Sequence, residues 1–167
     1  MTVLPILIFP ERVLKQKAKR VKHIDGSIKK LVRDMVQTMH AVPGRAGLAA
    51  PQVGVPLRVI VIGIPEEKDI VLINPEIVRR KGERTIDEGC LSLPGFFAQV
   101  TRSESVTAKG LDVNGKEVKL KAEGLLAQAL EHEIDHLNGM LYIEHLDSLE
   151  KLQKVEPLET NPEEEEA

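Results

Sequence analysis

The feature that most constrains the fold of this chain is a pair of histidines inside a strongly apolar segment. His132 and His136 open and close the run His-Glu-Ile-Asp-His, and apolar residues surround them over 125–137. Residues four apart on an α-helix lie one turn apart on the same face, so both imidazoles can reach one cation. Glu133 lies about 100° around the helix from His132 and can flank a metal without ligating it. The pattern predicts a largely buried metal-binding helix.

Two histidines at this spacing also occur by chance, as solvated or core-satisfied residues of an ordinary helix. We favour a metal site because the same segment carries Glu133 and Asp135 as well as both histidines. Burying four such side chains costs free energy. Metal ligation and the hydrogen bonds that support the ligands would offset that cost.

A catalytic divalent metal usually takes a third protein ligand and keeps one position for water. Residue spacing leaves that ligand open. The metzincin pattern would require histidine where this chain has Tyr142, and the gluzincin pattern would rely on Glu156 or Glu159 in an acidic terminal segment. His145 is a further candidate. Cys90, the single cysteine, is either an inert buried thiol or a thiolate that would bind a metal strongly.

Helical periodicity predicts one further long helix and one short helix near the end of the chain. Apolar residues recur at helical spacing over 27–42, where Asp25 or Ser27 can cap the first turn. The metal-binding helix should end near Gly139, because glycine readily adopts the left-handed conformation of a C-terminal cap. The last short helix is expected at 149–155.

Strands are predicted for much of the remaining chain. Short β-branched runs bounded by prolines predict buried strands at 57–63 and 70–74. Two more strands, 105–111 and 116–122, flank an Asn-Gly pair that can supply the positive φ angles of a hairpin turn. Strands interspersed with only two sizeable helices predict an α+β fold, with a single catalytic metallohydrolase domain over 1–155.

Charge is unevenly distributed along the 167 residues. The segment 156–167 holds six acids and no base, which leaves 23 bases and 20 acids in the rest of the chain. Like charges beside prolines cannot bury enough apolar surface to offset their ordering entropy, so we expect a disordered tail. The weakly basic body has only four aromatic residues. It therefore gives no reason to expect nucleic-acid binding, and we predict no specific DNA partner.

The chain carries no signal for a membrane or for export. No apolar run approaches the roughly 20 residues of a membrane helix. The first residues lack the basic flank and the cleavage pattern of a signal peptide. We therefore expect a cytoplasmic protein with no membrane partner.

Three sequence blocks together resemble the bacterial peptide deformylase family. They are Gly-Leu-Ala-Ala-Pro-Gln at 47–52, Glu-Gly-Cys-Leu-Ser at 88–92 and His-Glu-Ile-Asp-His-Leu at 132–137. The resemblance covers about residues 3–150. It implies a peptide-deformylase-like fold in which antiparallel β-sheets pack around a central metal-binding helix.

The resemblance also implies an activity and a cofactor. Members of the family remove the N-formyl group from the initiator methionine of newly made polypeptides and release formate. By similarity, Cys90, His132 and His136 would hold one divalent metal ion, iron(II) in the cell, with zinc, nickel or cobalt able to take its place. Glu133 would take a proton from the attacking water and pass it to the departing amine.

Further roles follow from the same resemblance. The side-chain amide of Gln52 and the backbone N–H of Leu91 would stabilise the developing oxyanion. Backbone groups of Ala46 and Gly47 would pair with an extended peptide substrate. The rest of the substrate site, with a mainly apolar pocket for the methionine side chain, would comprise Ile86, Glu88, Gly89, Leu125 and Ala129.

The sequence departs from the family pattern at several positions. Arg45 stands where the first block usually has a glycine, Glu131 replaces a common glutamine, and Gln128 replaces a residue that is often apolar. At Arg45 we expect a different loop. Glu131 and Gln128 do not touch the proposed ligands, so for these two we expect altered substrate preference rather than lost activity. The ribosome-docking tails of the family are basic, so any transient ribosome association of this chain would not use its acidic tail.

Two other functions remain as alternatives. A small zincin-type metallopeptidase would cleave unformylated internal peptide bonds. A deformylase-like binding protein would keep the fold without turnover. The presence of Glu133 argues against the binding protein, because its replacement would be the easiest route to an inactive site.

Overall fold

A computed structural model describes residues 2–155, which form two antiparallel sheets and two α-helices. The α+β prediction is confirmed. In chain order the elements are α1 (Gly26–His40), β1 (Gly47–Ala49), β2 (Val59–Ile62), β3 (Ile70–Lys81), β4 (Arg84–Cys90), β5 (Leu93–Arg102), β6 (Ser105–Leu111), β7 (Glu117–Glu123), α2 (Gly124–Leu137) and β8 (Gln153–Lys154). The segment 156–167, where we expect disorder, lies outside the described residues.

The two helices pack on opposite faces of the larger sheet, whose strand order is β1-β2-β3-β6-β7. Strand β2 shows how this works. Ile60 and Ile62 join the apolar core around α2, whereas Val59 and Val61 join the core around α1. A strand buried on both faces needs a continuous apolar run, which explains the sequence Val-Ile-Val-Ile. Helix α2 therefore lies against the sheet with most of its side chains buried.

The smaller sheet, in the order β4-β5-β8, brings the cysteine block to the helix. Cys90 is the last residue of β4 and pairs with Leu93 at the start of β5. Because β4 and β5 are joined by a tight connection at this point, the thiol lies at the end of the hairpin. That position lets it approach the histidine face of α2.

Helix ends follow the capping signals in the sequence. The Asp25 carboxylate accepts hydrogen bonds from the backbone N–H groups of Ser27 and Ile28, at 3.0 and 3.2 Å, so Asp25 is the N-cap of α1. Gly139, after the end of α2, has a φ angle of +74°. A Cβ at this position would lie 2.5 Å from the carbonyl oxygen of Lys15, so the turn requires glycine.

The predicted helix at 149–155 is wrong. Ser148 caps only a single 3₁₀ turn, Leu149–Lys151, and the chain then forms β8 along the edge of β5. Isolated short helices are marginal in water, and pairing with an open sheet edge satisfies the same backbone groups better.

The strand predictions were partly correct. The predicted strand at 70–74 is only the start of β3, which runs to Lys81, and β4 and β5 were not predicted. The predicted hairpin is present as β6 and β7, but within its turn only Gly115 has a positive φ angle. The Asp112 carboxylate accepts hydrogen bonds from the backbone N–H groups of Asn114 and Lys116. These bonds stabilise a turn in which Asn114 does not need a positive φ angle.

None of the helices within residues 2–155 has the length and apolar character needed to cross a membrane.

Candidate metal centre

Three side chains that are distant in sequence bring their metal-binding atoms together beside α2. The Nε2 atom of His136 lies 3.2 Å from Cys90 Sγ and 3.2 Å from His132 Nε2. All three atoms lie within 4.8 Å of one another. The structure thus selects Cys90 as the third member of the group that the histidine spacing predicts.

The chemistry of this donor set fits a divalent transition metal. A thiolate and two imidazoles are ligands that such ions prefer. His136 is fully buried, and burial together with the nearby His132 lowers its pKa well below the usual value. Since metals bind the neutral imidazole, the depressed pKa keeps this residue in its ligand form.

A buried ion-pair network contacts His132 at Nδ1, the ring nitrogen that is not part of the metal-binding group. The Nδ1 atom of His132 lies 2.8 Å from Oε2 of Glu88. Arg102 donates two hydrogen bonds to the Glu88 carboxylate, at 3.0 and 2.5 Å, and a third to Asp135 at 2.7 Å. With Nδ1 engaged by a carboxylate, the Nε2 atom is left facing the metal-binding group.

Glu88 stays ionised although it is buried. Burial alone would raise the pKa of this carboxyl, but the hydrogen bonds from His132 and Arg102 outweigh that effect and bring the pKa to about 2. The sequence analysis predicts Glu88 as a substrate-binding residue. In the structure its carboxylate contacts His132, one of the metal-binding histidines. Sequence reasoning missed Arg102, which has no local motif to mark it.

His145 is not part of the metal-binding group. Its Nε2 atom lies 2.9 Å from Oδ2 of Asp135, at the outer end of the Arg102 network. The alternative third ligand suggested by the sequence thus serves as a neighbour of the network.

Glu133 is a buried carboxyl that lies beside the three donors. It is 4% exposed, and its Oε1 atom lies 3.8 Å from His132 Nε2. Burial raises the pKa of Glu133 to about 7. The Oε2 atom has no hydrogen-bond partner within the described part of the chain. A carboxyl with this pKa can both accept and return a proton near neutral pH.

Gly47 makes room for the Glu133 side chain. A Cβ at residue 47 would lie 3.0 Å from Cγ of Glu133 and 3.2 Å from its Cδ. A side chain at residue 47 would therefore push the Glu133 carboxyl out of its place by a few tenths of an ångström.

Gln52 turns its amide nitrogen toward the site. Its Oε1 atom accepts the N–H of Ala49 at 2.9 Å, which fixes the orientation of the amide group. The Nε2 atom then donates to Ser92 Oγ at 3.2 Å and lies 3.7 Å from Cys90 Sγ. The backbone N–H of Ser92 is 3.4 Å from the same sulfur. Ser92 is a fully buried site residue that sequence reasoning did not single out.

A cavity of about 430 Å³ opens onto these groups. It brings together all but two of the residues predicted for catalysis, metal and substrate, and its wall includes Ala46, Gly47, Gly89, Leu91, Leu125 and Ala129. The exceptions are His136, which is fully buried beside the cavity-lining donors His132 and Cys90, and Ile86, which packs in an apolar cluster with Ala98, Val100 and Tyr142. Ile86 lies on the same face of β4 as Glu88 but further from the end of the hairpin, at Cys90, where the cavity lies. A groove of about 500 Å³ on β3, β6 and β7 contains none of the predicted site residues.

Gln128 and Glu131, two of the residues that depart from the family pattern, make hydrogen bonds near the cavity. Gln128 donates to the carbonyl of Asp87 at 3.2 Å and to Oε1 of Glu88 at 3.3 Å, which links α2 to β4. Glu131 is buried and accepts the backbone N–H of Ser103 at 2.8 Å.

Known proteins are similar to this chain in sequence. The family model described as polypeptide deformylase matches residues 3–152. A peptide deformylase of Dehalococcoides mccartyi (strain CBDB1) is 53% identical over 165 residues, which is 98% of each chain. One of Thermodesulfovibrio yellowstonii is 50% identical over 155 residues, covering 90% of this chain and 93% of the relative.

Solved structures give the same result. A peptide deformylase from Legionella pneumophila superposes with a TM-score of 0.86 at 46% identity, covering 90% of this chain and 89% of the other. A peptide deformylase from Synechococcus elongatus in complex with actinonin gives a TM-score of 0.84 at 43% identity, covering 90% and 82%.

Proposed function

Since this chain belongs to the polypeptide deformylase family and is a metal-dependent hydrolase of N-formyl peptides, we propose that Cys90, His132 and His136 hold one iron(II) ion in the cell. The observation that carries the metal site is the convergence of one sulfur and two nitrogen atoms within 4.8 Å; the choice of iron(II) rests on the resemblance to the family. Zinc, nickel or cobalt would fit the same ligands. The family comparisons favour deformylation over the metallopeptidase and the inactive binding protein.

A divalent cation at this position supplies a nucleophile near neutral pH by lowering the pKa of water. The residues of the chain do the rest of the work. Glu88 and Arg102 hold the His132 ring in one orientation. A fixed orientation of the His132 ring would help to align the attacking water with the formyl carbon. Misplacement of reacting groups by about 1 Å can cost on the order of 100-fold in rate.

Glu133 moves the proton. It accepts the proton released as water attacks, and returns it to the nitrogen of methionine as the C–N bond breaks. Without that proton the leaving group would be an amide anion, which departs poorly. The pKa of about 7 suits both halves of this transfer.

Gln52 and Leu91 stabilise the negative charge on the former formyl oxygen. The Gln52 amide is oriented by the N–H of Ala49 before substrate arrives, so its Nε2 donor does not reorganise during the reaction. The backbone N–H of Leu91 is the second donor. Preorganised donors of this kind are each worth about 3 kcal/mol in comparable sites.

The cavity accommodates the formyl-methionine end of a new polypeptide. The backbone of Ala46 and Gly47 pairs with the extended peptide, and the methionine side chain packs against Leu125 and Ala129 near Gly89. All five residues line the cavity next to Glu133. Pairing through the backbone suits an enzyme that must accept many sequences after the first residue.

The wider context follows from the substrate. Newly made polypeptides are produced in the cytoplasm, so we place the protein there, with transient ribosome association through a surface other than its acidic tail. Residues 1–155 form the single catalytic domain in this proposal.

A formate-release assay tests the proposed function. Formyl-Met-Ala-Ser should yield formate, whereas an unformylated peptide should stay intact. Cleavage of internal bonds in the unformylated peptide would support the metallopeptidase instead, and no reaction with either substrate would support the binding protein.

A further inference from the structure

The loop 41–46, which joins α1 to β1, is a thin wall between two cavities. Gly44, Arg45 and Ala46 line the catalytic cavity, and the same three residues line a second cavity of about 320 Å³. Residues 41–44 of the loop are exposed, and residues 45 and 46 are only half-buried. Its position therefore depends on the groups that anchor its ends.

Arg45 anchors the loop to the end of α1. Its Nη1 atom donates to the carbonyl oxygen of Thr38 at 2.6 Å. The C-terminus of a helix carries partial negative charge, so a guanidinium bonds favourably there. Thr38 is fully buried, and its hydroxyl donates to the carbonyl of Asp34 at 2.6 Å and accepts the N–H of Leu4 at 2.8 Å. The anchor point is thus itself fixed from two sides.

Within the described residues, the bond to the Thr38 carbonyl is the side-chain hydrogen bond that Arg45 makes. Arg45 Nε is buried without a hydrogen-bond partner among residues 2–155. The bond to Thr38 is therefore the contact whose loss would free the guanidinium, and with it the loop.

Arg45 directly precedes Ala46 and Gly47, the two residues whose backbone is proposed to pair with the substrate. The carbonyl of Ala46 accepts the N–H of Gly63 at 2.9 Å, and Gly47 pairs with Ile62 in the sheet. Gly47 also packs against the Glu133 side chain. The contacts with β2 hold this backbone on one side, and Arg45 holds the segment that leads into it, so a shift at residue 45 acts directly on Ala46.

We propose that Arg45 is a positioning residue, which holds Ala46 and Gly47 in the geometry that receives the extended peptide. This inference rests on the proposed function, because it assumes that peptide binds along this backbone. Glycine, which is usual at this position in the family, has no side chain to make the bond. The chain uses the helix end as its own support for the loop.

Steady-state kinetics with two substrates tests the role of Arg45. Formyl-Met-Ala-Ser has the backbone that pairs with the loop, whereas formyl-methionine lacks it. We expect Arg45→Ala to raise KM for the tripeptide about tenfold with kcat within about twofold, because uniform binding is lost. The kcat/KM for formyl-methionine should change less than about twofold. Arg45→Lys should restore part of the loss, since lysine can donate to the same carbonyl.

Lys30→Ala is the matched control. It removes an ion pair with Asp34 on the same helix, at 2.8 Å, and should change neither KM nor kcat. The metal content and melting temperature of each variant are measured alongside.

An unchanged KM for the tripeptide in Arg45→Ala would overturn the inference, as would an equal loss on both substrates. If Arg45→Ala fails to fold, Arg45→Gln and Arg45→Lys decide by the same comparison. Formate release by the unsubstituted protein is measured first. Its absence would contradict the proposed function itself, independently of any result with the variants.

Discussion

Oε2 of Glu88 lies 2.8 Å from Nδ1 of His132, so a residue of the smaller sheet orients a metal-binding residue of α2. The same carboxylate is held by Arg102, whose side chain is 3% exposed. One buried network therefore links the metal-binding group to the packing of the smaller sheet against α2.

Replacing Glu88 should weaken both stability and metal binding. Glu88→Gln leaves Arg102 buried without its main counter-charge, and breaking such a pair typically costs about 3 kcal/mol or more. Loss of the hydrogen bond to His132 should reduce metal affinity by about 10- to 100-fold. Urea denaturation and competition with a chelator measure the two effects.

Glu76→Gln is the control for this substitution. It removes an ion pair with Lys109 in which both side chains are largely exposed, and should cost less than about 1 kcal/mol. A Glu88→Gln protein as stable as this control, with undiminished metal affinity, would show that the network does not support the site.

Replacing Glu133 should abolish turnover without releasing the metal. Glu133→Gln keeps the size of the side chain but cannot carry a proton between water and the leaving amine. We expect a loss of at least about 100-fold in kcat, with unchanged metal content. Formate release and metal analysis on the same sample provide the measurement. Turnover within tenfold of the unsubstituted protein would contradict the role of this residue.

The turn after α2 should not tolerate a side chain. Gly139→Ala places a Cβ against the Lys15 carbonyl at a residue with φ of +74°, and should destabilise the protein by more than about 1 kcal/mol. Gly26→Ala is the matched control, because no atom lies within 4 Å of a Cβ there. Thermal melting of both variants compares them. Equal melting temperatures would show that the turn adapts.

The contribution of Asp34 to stability should depend on pH. Hydrogen bonds from Lys30 and from the N–H of Thr2 lower the pKa of this carboxyl below its usual value. A depressed pKa in the folded state stabilises the protein above the unfolded pKa of about 3.9, and that contribution disappears as pH falls through the folded value.

Urea midpoints of the unsubstituted protein and Asp34→Asn between pH 7 and pH 3 should therefore converge toward the acidic end, with Asp34→Asn the less stable at pH 7. Asp147→Asn, in an exposed pair with Lys151, should match the unsubstituted protein throughout. A gap between the first two proteins that stays constant with pH would contradict the assignment.

The sequence predicted those features that depend on neighbouring residues. Helix α2, the cap at Asp25 and the turn at Gly139 follow from periodicity and from local backbone preferences. The two histidines share a face of α2 for the same reason. Local rules were sufficient for these features, but they also predicted a helix at 149–155, where pairing of β8 with β5 prevails.

The remaining features depend on partners that are far apart in sequence. Strands β4 and β5 carry mixed polar residues, and the pairing that stabilises them has no local pattern. Arg102 reaches Glu88 and Asp135 only because the hairpin folds onto α2. Cys90 remained one of several possible ligands by spacing alone, and the resemblance to a family, not periodicity, pointed to it.

The most direct test of the metal centre is the metal content of anaerobically purified protein compared with two variants. The unsubstituted protein should hold one divalent ion per chain, and Cys90→Ala should lose it or bind it far more weakly. His145→Ala removes the other candidate ligand and should keep the ion, because His145 contacts Asp135 instead. Full metal retention by Cys90→Ala, or loss of the metal in His145→Ala, would contradict the three-residue site.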